Sequence, residues 1–157
     1  MESKPKTHSS SPSYDPSCHT IAEITRLNST ERELLEITHR MLAAIHAGDI
    51  ETYRSLSAPD LSCYETDVAP FRIDVLEFHL DLMTAMRERG VYNTLTRFDV
   101  LTPRVQVYGD TGIVTYTRLM TYCTESGPTW RAFNETRVFS KIEGQWKMVH
   151  FHRSHAA

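Results

Sequence analysis

The stretch Thr111–Cys123, TGIVTYTRLMTYC, decides the fold. Its side chains alternate at a period of two. Val114, Tyr116, Arg118, Met120 and Tyr122 share one face, while Ile113, Thr115, Thr117, Leu119 and Thr121 share the other. Alternation through a run rich in aromatic and β-branched residues reads as a strand with two unlike faces. Downstream, 130–140 puts Phe133, Glu135, Arg137 and Phe139 on one face, and 145–153 does the same with Val149, Phe151 and Arg153. Upstream, 92–100 and 104–108 read as two more strands. Thr102-Pro103, Gly109-Asp110, Ser126-Gly127-Pro128 and Glu143-Gly144 separate these runs, and all are good turn formers. Such short spacers allow only hairpins, so the late strands form an antiparallel meander.

Before residue 91 the period is 3.6. Thr30 and Glu33 have the spacing of a capping box, after which Leu34, Leu35, Ile37, Met41, Leu42 and Ile45 recur at helical intervals until Gly48. Asp49 caps a short second helix carrying Ile50, Tyr53 and Leu56. An extended piece follows at Leu61–Tyr64. A third helix is predicted over 73–89, with Leu76, His79, Leu80, Met83 and Met86 on one face and Gly90 at its end. Helices that precede a curved antiparallel sheet must cover one of its faces. The expected fold is therefore α+β, a cone-shaped antiparallel sheet under three N-terminal helices, spanning 29–157. Residues 1–28, rich in Ser, Pro, Thr and His, read as a disordered tail.

Composition excludes several classes. The chain has 157 residues, 40% apolar and 24% charged, with a formal net charge of −3. That charge lacks the basic excess a nucleic-acid partner requires. No apolar run reaches the ~18 residues of a membrane span, and the N-terminus lacks a secretory apolar core. Cys18, Cys63 and Cys123 have no metal-site spacing, and an odd count leaves one unpaired, so a reducing, cytoplasmic setting is expected. His150, His152 and His155 alternate near the C-terminus without a cysteine or carboxylate beside them, so no metal and no cofactor is expected.

Each of the three long late strands places one arginine among large apolar residues. Arg118 and Arg137 lie almost equally far from the Ser126-Gly127-Pro128 turn, which predicts near-opposite cross-strand neighbours. Two guanidinium groups so placed repel, and neither sheds its proton. Glu135, Glu65, Asp67 or a bound anion must compensate them. The arginines are then either structural, each tied to an internal carboxylate, or the lining of an anion site that His79 also faces.

Several segments carry a family resemblance. Glu33–Tyr53 (ELLEITHRMLAAIHAGDIETY), Tyr64-Glu65, Glu77-Phe78-His79, Tyr108-Gly109-Asp110, Glu135-Thr136-Arg137-Val138 and Gly144–Ser154 (GQWKMVHFHRS) resemble the association, or hub, domain of calcium/calmodulin-dependent protein kinase II. The resemblance covers about 31–155 and extends to the broader nuclear-transport-factor-like, polyketide-cyclase-like cone superfamily. It implies a domain without catalysis of its own, whose homodimers assemble into rings that hold kinase domains together. It also implies a small-carboxylate pocket, with Arg118, Arg137 and Arg153 at the three arginine positions and Tyr53, Glu65 and His79 beside them. No Gly-rich loop, HRD or DFG motif is present, and no basic amphipathic helix precedes the domain. Neither kinase activity nor direct calmodulin binding is carried over; a kinase would have to be supplied in trans.

The first expectation is accordingly a free-standing, self-assembling scaffold. The sheet face away from the helices, expected to carry Thr115, Thr117, Leu119, Ala132, Trp146 and Met148, is partly too apolar to stay wet in a monomer. The alternative is a small cone-fold isomerase, dehydratase or cyclase in which the arginines hold a carboxylate while His79 or Glu65 moves a proton.

Overall fold

The computed structural model describes residues 26–91 and 95–156. The tail expected over 1–28 lies outside them except for its last three residues, as does Cys18. Leu27 already packs against the core.

The first helix, α1 (Ser29–Ala47), is capped by Asn28 rather than Thr30. The Asn28 side chain accepts from the Glu31 N–H at 2.9 Å, and Glu31 Oε2 accepts from the Asn28 N–H at 2.8 Å. The capping box therefore sits two residues earlier than the Thr30–Glu33 spacing suggested, because the asparagine side-chain carbonyl accepts as a threonine hydroxyl would, at an equivalent spacing. Leu34, Met41 and Leu42 on α1 are fully buried. Gly48 ends the helix in the left-handed region at φ 65°, which a residue without Cβ adopts freely. Helix α2 (Ile50–Leu56) follows under an Asp49 cap, as expected.

Strand β1 (Ser57–Glu65) is longer than the extended piece read from sequence, and it pairs with the two-residue β2 (Ile73–Asp74). Ile73 and Asp74 thus belong to a strand, and α3 (Leu76–Glu88) begins three residues later than predicted. Four long strands complete the fold: β3 (Leu95–Tyr108), β4 (Thr111–Thr124), β5 (Gly127–Ile142) and β6 (Gln145–His155).

The six strands form one curved sheet in the order β2-β1-β6-β5-β4-β3. The late strands are an antiparallel meander, but β1 runs parallel to β6, so the sheet is mixed. The two strands expected at 92–100 and 104–108 are one. Pro103 does not end it, because β3 is an edge strand where a missing N–H costs no ladder bond. The chain instead absorbs Thr102-Pro103 in a register shift between Leu101 and Arg104, with Thr102 at φ 46°.

Helices α1, α2 and α3 cover one sheet face, and the core lies between. Val114, Phe139, Trp146 and Met148 supply the sheet side. Trp146 and Met148 thus point toward the helices, against expectation. The tight turn at Glu143-Gly144 sets Ile142 opposite Gln145 and aims Trp146 and Met148 inward. Val149 is then the extra residue of a bulge, since Phe139 pairs with Met148 while Val138 pairs with His150. Beyond the bulge the parity flips, and Phe151 and Arg153 face the helices.

Candidate functional site

A row of polar side chains crosses the helix-facing side of the sheet. Glu65 on β1 pairs with Arg153 on β6, Arg153 with Glu135 on β5, and Glu135 with Tyr116 on β4. The turn between Thr124 and Gly127 fixes this register: it sets Arg118 opposite Phe133 and Arg137 opposite Val114. The two arginines are therefore not direct neighbours. They flank the Tyr116–Glu135 pair, which relieves the repulsion that an opposite placement would have caused.

Glu135 is the centre of the cluster. Arg118 Nη2 lies 2.7 Å from its Oε1, as a charge contact off the N–H axis, and Arg137 Nη2 lies 3.2 Å from Oε2. The Tyr116 hydroxyl donates to Oε2 at 2.5 Å and accepts from Arg137 Nε at 2.7 Å. Arg137 also stands over the Phe151 ring and donates Nη1–H to Met148 Sδ. Arg118, Glu135 and Arg137 are each no more than 3% exposed. Burial pushes the Glu135 carboxyl up, but Arg118, Arg137 and Tyr116 outweigh it and hold the group below the ordinary carboxylate range.

Arg153 sits nearer the mouth. Its Nη2 reaches Glu65 Oε1 at 3.0 Å and Asp67 Oδ2 at 2.9 Å, and its guanidinium lies over the Phe133 ring. His155 Nε2 approaches Asp67 Oδ1 at 2.7 Å. Glu65 is pushed up by burial, which exceeds the opposing pull of Arg153 and Arg118. Buried Glu135, half-buried Glu65 and exposed Asp67 are thus the anions that stand beside the three arginines.

His79 and Tyr53 stand at the β1 end of the row, beside Cys63 and Glu65. His79 is buried against Phe151 and Tyr53, with ring centroids 5.4 and 6.5 Å away, and its Nε2 lies 3.6 Å from Cys63 Sγ. Burial lowers its imidazole to about 4, and Arg137 adds to the effect. All six expected side chains therefore lie on the helix-facing side, but Arg118 and Arg137 close on Glu135 rather than on open space. Two surface cavities of about 340 and 330 Å³ border the cluster: one on the far sheet face around Thr115, Thr117 and Asn134, the other beside Glu65 and His152.

Three participants were missed in the sequence. Tyr116 shares a face with Arg118, but only the register shows that it meets Glu135. Cys63 meets His79 across 16 positions of chain. His46 lies four residues after Leu42, hence on the apolar stripe of α1, and that spacing was a usable signal. It stacks on Phe98, and burial, aided by Arg118, lowers it to about 3. Its Nε2 is buried without a hydrogen-bond partner, as are Arg118 Nε and Arg153 Nε.

A helix-covered curved sheet with polar groups lining its inner side is the architecture of the NTF2-like cone class. A solved structure of that family from Streptomyces avermitilis superimposes with TM-score 0.67 at 20% identity, over 82% of this chain and 97% of that one, which establishes the fold alone. The profile of the calcium/calmodulin-dependent protein kinase II association domain matches residues 30–157, and the chain belongs to that family. It is 32% identical over 132 residues to the type II kinase of Caenorhabditis elegans, covering 83% of this chain. The match spans only 18% of that kinase's length. The solved association domain from the same organism superimposes with TM-score 0.68 at 29% identity, over 81% of this chain and 99% of that domain. Among the described residues, no helix is long and apolar enough to cross a membrane.

Proposed function

We propose that the chain is a self-assembling hub, with a small-carboxylate site built on Arg118, Arg137 and Arg153. Family membership supports assembly, and the uncovered sheet face carries it. Ile113, Leu119, Ala132 and Val138 on that face are only partly covered in the protomer, and Trp130 near the β4–β5 turn is 62% exposed. A stable subunit contact buries on the order of 1,200 Å² or more in total, and self-complementary contacts close under point-group symmetry. Leu119→Asp and Trp130→Asp should reduce the particle to the 18.1 kDa chain while leaving far-UV circular dichroism intact. Unchanged particle size in both variants would place the contact elsewhere.

The carboxylate reading rests on donors left without acceptors. Arg118 Nε and Arg153 Nε are buried and unpartnered, although burying such groups is costly unless something pairs with them. A small carboxylate entering past Arg153 would pair with the free Nε–H groups of Arg153 and Arg118 and loosen the hold of Arg118 on Glu135. Calorimetric titration with four-carbon carboxylates tests this. Binding should weaken in Arg118→Ala by roughly 1.5–3 kcal/mol, the range for a charge-assisted hydrogen bond. No heat with the wild-type chain would remove the site. The enzyme alternative, in which His79 or Glu65 would move a proton, has no separate observation in its favour: burial lowers His79 to about 4, and Glu65 is ion-paired with Arg153.

A further inference from the structure

Cys63 and Glu65 stand two residues apart on β1, so both side chains leave the same face of the strand. That face lies under α3, which lowers His79 toward them. Cys63 Sγ, one Glu65 carboxylate oxygen and His79 Nε2 all lie within 4.8 Å of one another. The Cys63 Sγ to His79 Nε2 separation is 3.6 Å. A tetrahedral zinc ion with bonds of about 2.3 Å to sulfur and 2.0–2.1 Å to nitrogen holds those two donors about 3.6 Å apart. A thiol–imidazole hydrogen bond would satisfy the same distance, so the third donor is what distinguishes the cluster.

We propose that Cys63, Glu65 and His79 form a binding site for one divalent cation of the zinc class, with its fourth coordination position open. Thiolate and imidazole together favour zinc or cobalt over magnesium or calcium, which prefer all-oxygen shells. Charge balance also fits. One thiolate and one carboxylate cancel a dication, so the bound unit is itself neutral, and binding diverts the Glu65 charge that faces Arg153 in the metal-free chain. Arg153 need not be stranded when Glu65 turns to the metal, because Asp67 holds the same guanidinium at 2.9 Å. The His79 ring is fixed by Tyr53, Phe78 and Phe151, so little side-chain freedom is lost on coordination. Water or a small anion would complete the shell.

The site shares Glu65 and His79 with the proposed carboxylate site but is read out separately. The full chain, stripped with a chelator and passed into buffer without carboxylates, is titrated with Co²⁺. One equivalent should produce near-ultraviolet thiolate-to-cobalt charge transfer together with the visible bands of a tetrahedral centre. Cys63→Ala should abolish the charge transfer, and His79→Gln should weaken Co²⁺ binding at least about tenfold. Cys18→Ser and Cys123→Ser should leave the spectrum unchanged. Absence of charge transfer in the wild-type chain overturns the proposal without reference to any variant, as does its persistence in Cys63→Ala. A failed cobalt titration would leave the carboxylate site standing, and a failed carboxylate titration would leave this one standing.

Discussion

Tyr116 and Glu135 face each other across β4 and β5, and the tyrosine hydroxyl donates to the carboxylate at 2.5 Å. This pair separates two guanidinium groups that the chain places only 19 residues apart. It lets one carboxylate serve both, so the inner face of the sheet tolerates two buried cations. What the pair does not do is satisfy every donor, and Arg118 Nε is left over.

Glu135→Gln should therefore be among the most destabilising single changes in the domain. Removing one member of a buried ion cluster costs about 3–5 kcal/mol, since an uncompensated charge remains. Glu135→Gln combined with Arg118→Met should recover part of that loss. Urea unfolding of the singles and the double measures it, and simple additivity would show that the groups do not act together.

The acid response above pH 5 should be carried by two buried neutral imidazoles, His79 and the more strongly lowered His46. The folded His46 imidazole is lowered from 6.5 to about 3 by burial and by Arg118, Arg153 and Arg137, with only Glu135 pulling the other way. The unfolded chain takes up a proton near pH 6.5 that the folded chain refuses, so this contribution to stability falls as pH drops from 6.5 toward 3. The slope is about 1.4 kcal/mol per pH unit for one such histidine. Glu65, raised by burial, acts in the opposite sense, so the wild-type profile alone is ambiguous. The difference between wild type and His46→Gln cancels Glu65 and His79. Between pH 6.5 and 5 that difference should slope, and a flat line would contradict the burial of a neutral imidazole.

Helix α1 packs tightly on β4 at Gly112. A Cβ placed there would come within 2.5 Å of Leu34 Cδ1 and 3.0 Å of Cδ2. Leu34 is wholly buried and has nowhere to retreat. Gly112→Ala should lower stability by about 1–3 kcal/mol, the usual cost of overpacking, and thermal melts would register it. Pairing it with Leu34→Val should restore part of the loss.

The amino end of α1 offers a test of register. Asn28→Ala should cost about 1 kcal/mol, whereas Thr30→Ala, inside the first turn, should cost markedly less. Comparable losses at both positions would return the cap to the place the sequence suggested.

Much of this domain could be read before any coordinates. The alternation in β4 and β5 placed Arg118, Glu135 and Arg137 on the buried face correctly, because side-chain parity survives an error in turn position. The pairing did not survive it: the turn closes at Thr124 and Gly127, shifting Arg118 from Arg137 to Phe133. In β6 parity itself was lost, since the bulge at Val149 leaves no mark in composition. Pro103 misled for a related reason. A proline ends an interior strand but not an edge strand, and edge position is a tertiary property. The parallel pairing of β1 with β6, and the meeting of Cys63 with His79, depend on chain reversals too distant for local spacing to report.

The native mass of the purified chain tests the hub reading most directly. At low micromolar concentration and near-physiological salt, the chain should run as a closed multimer of its 18.1 kDa subunit, built from dimers and therefore even in number. A single species at 18.1 kDa under the same conditions would contradict the assembly on which the proposed function stands.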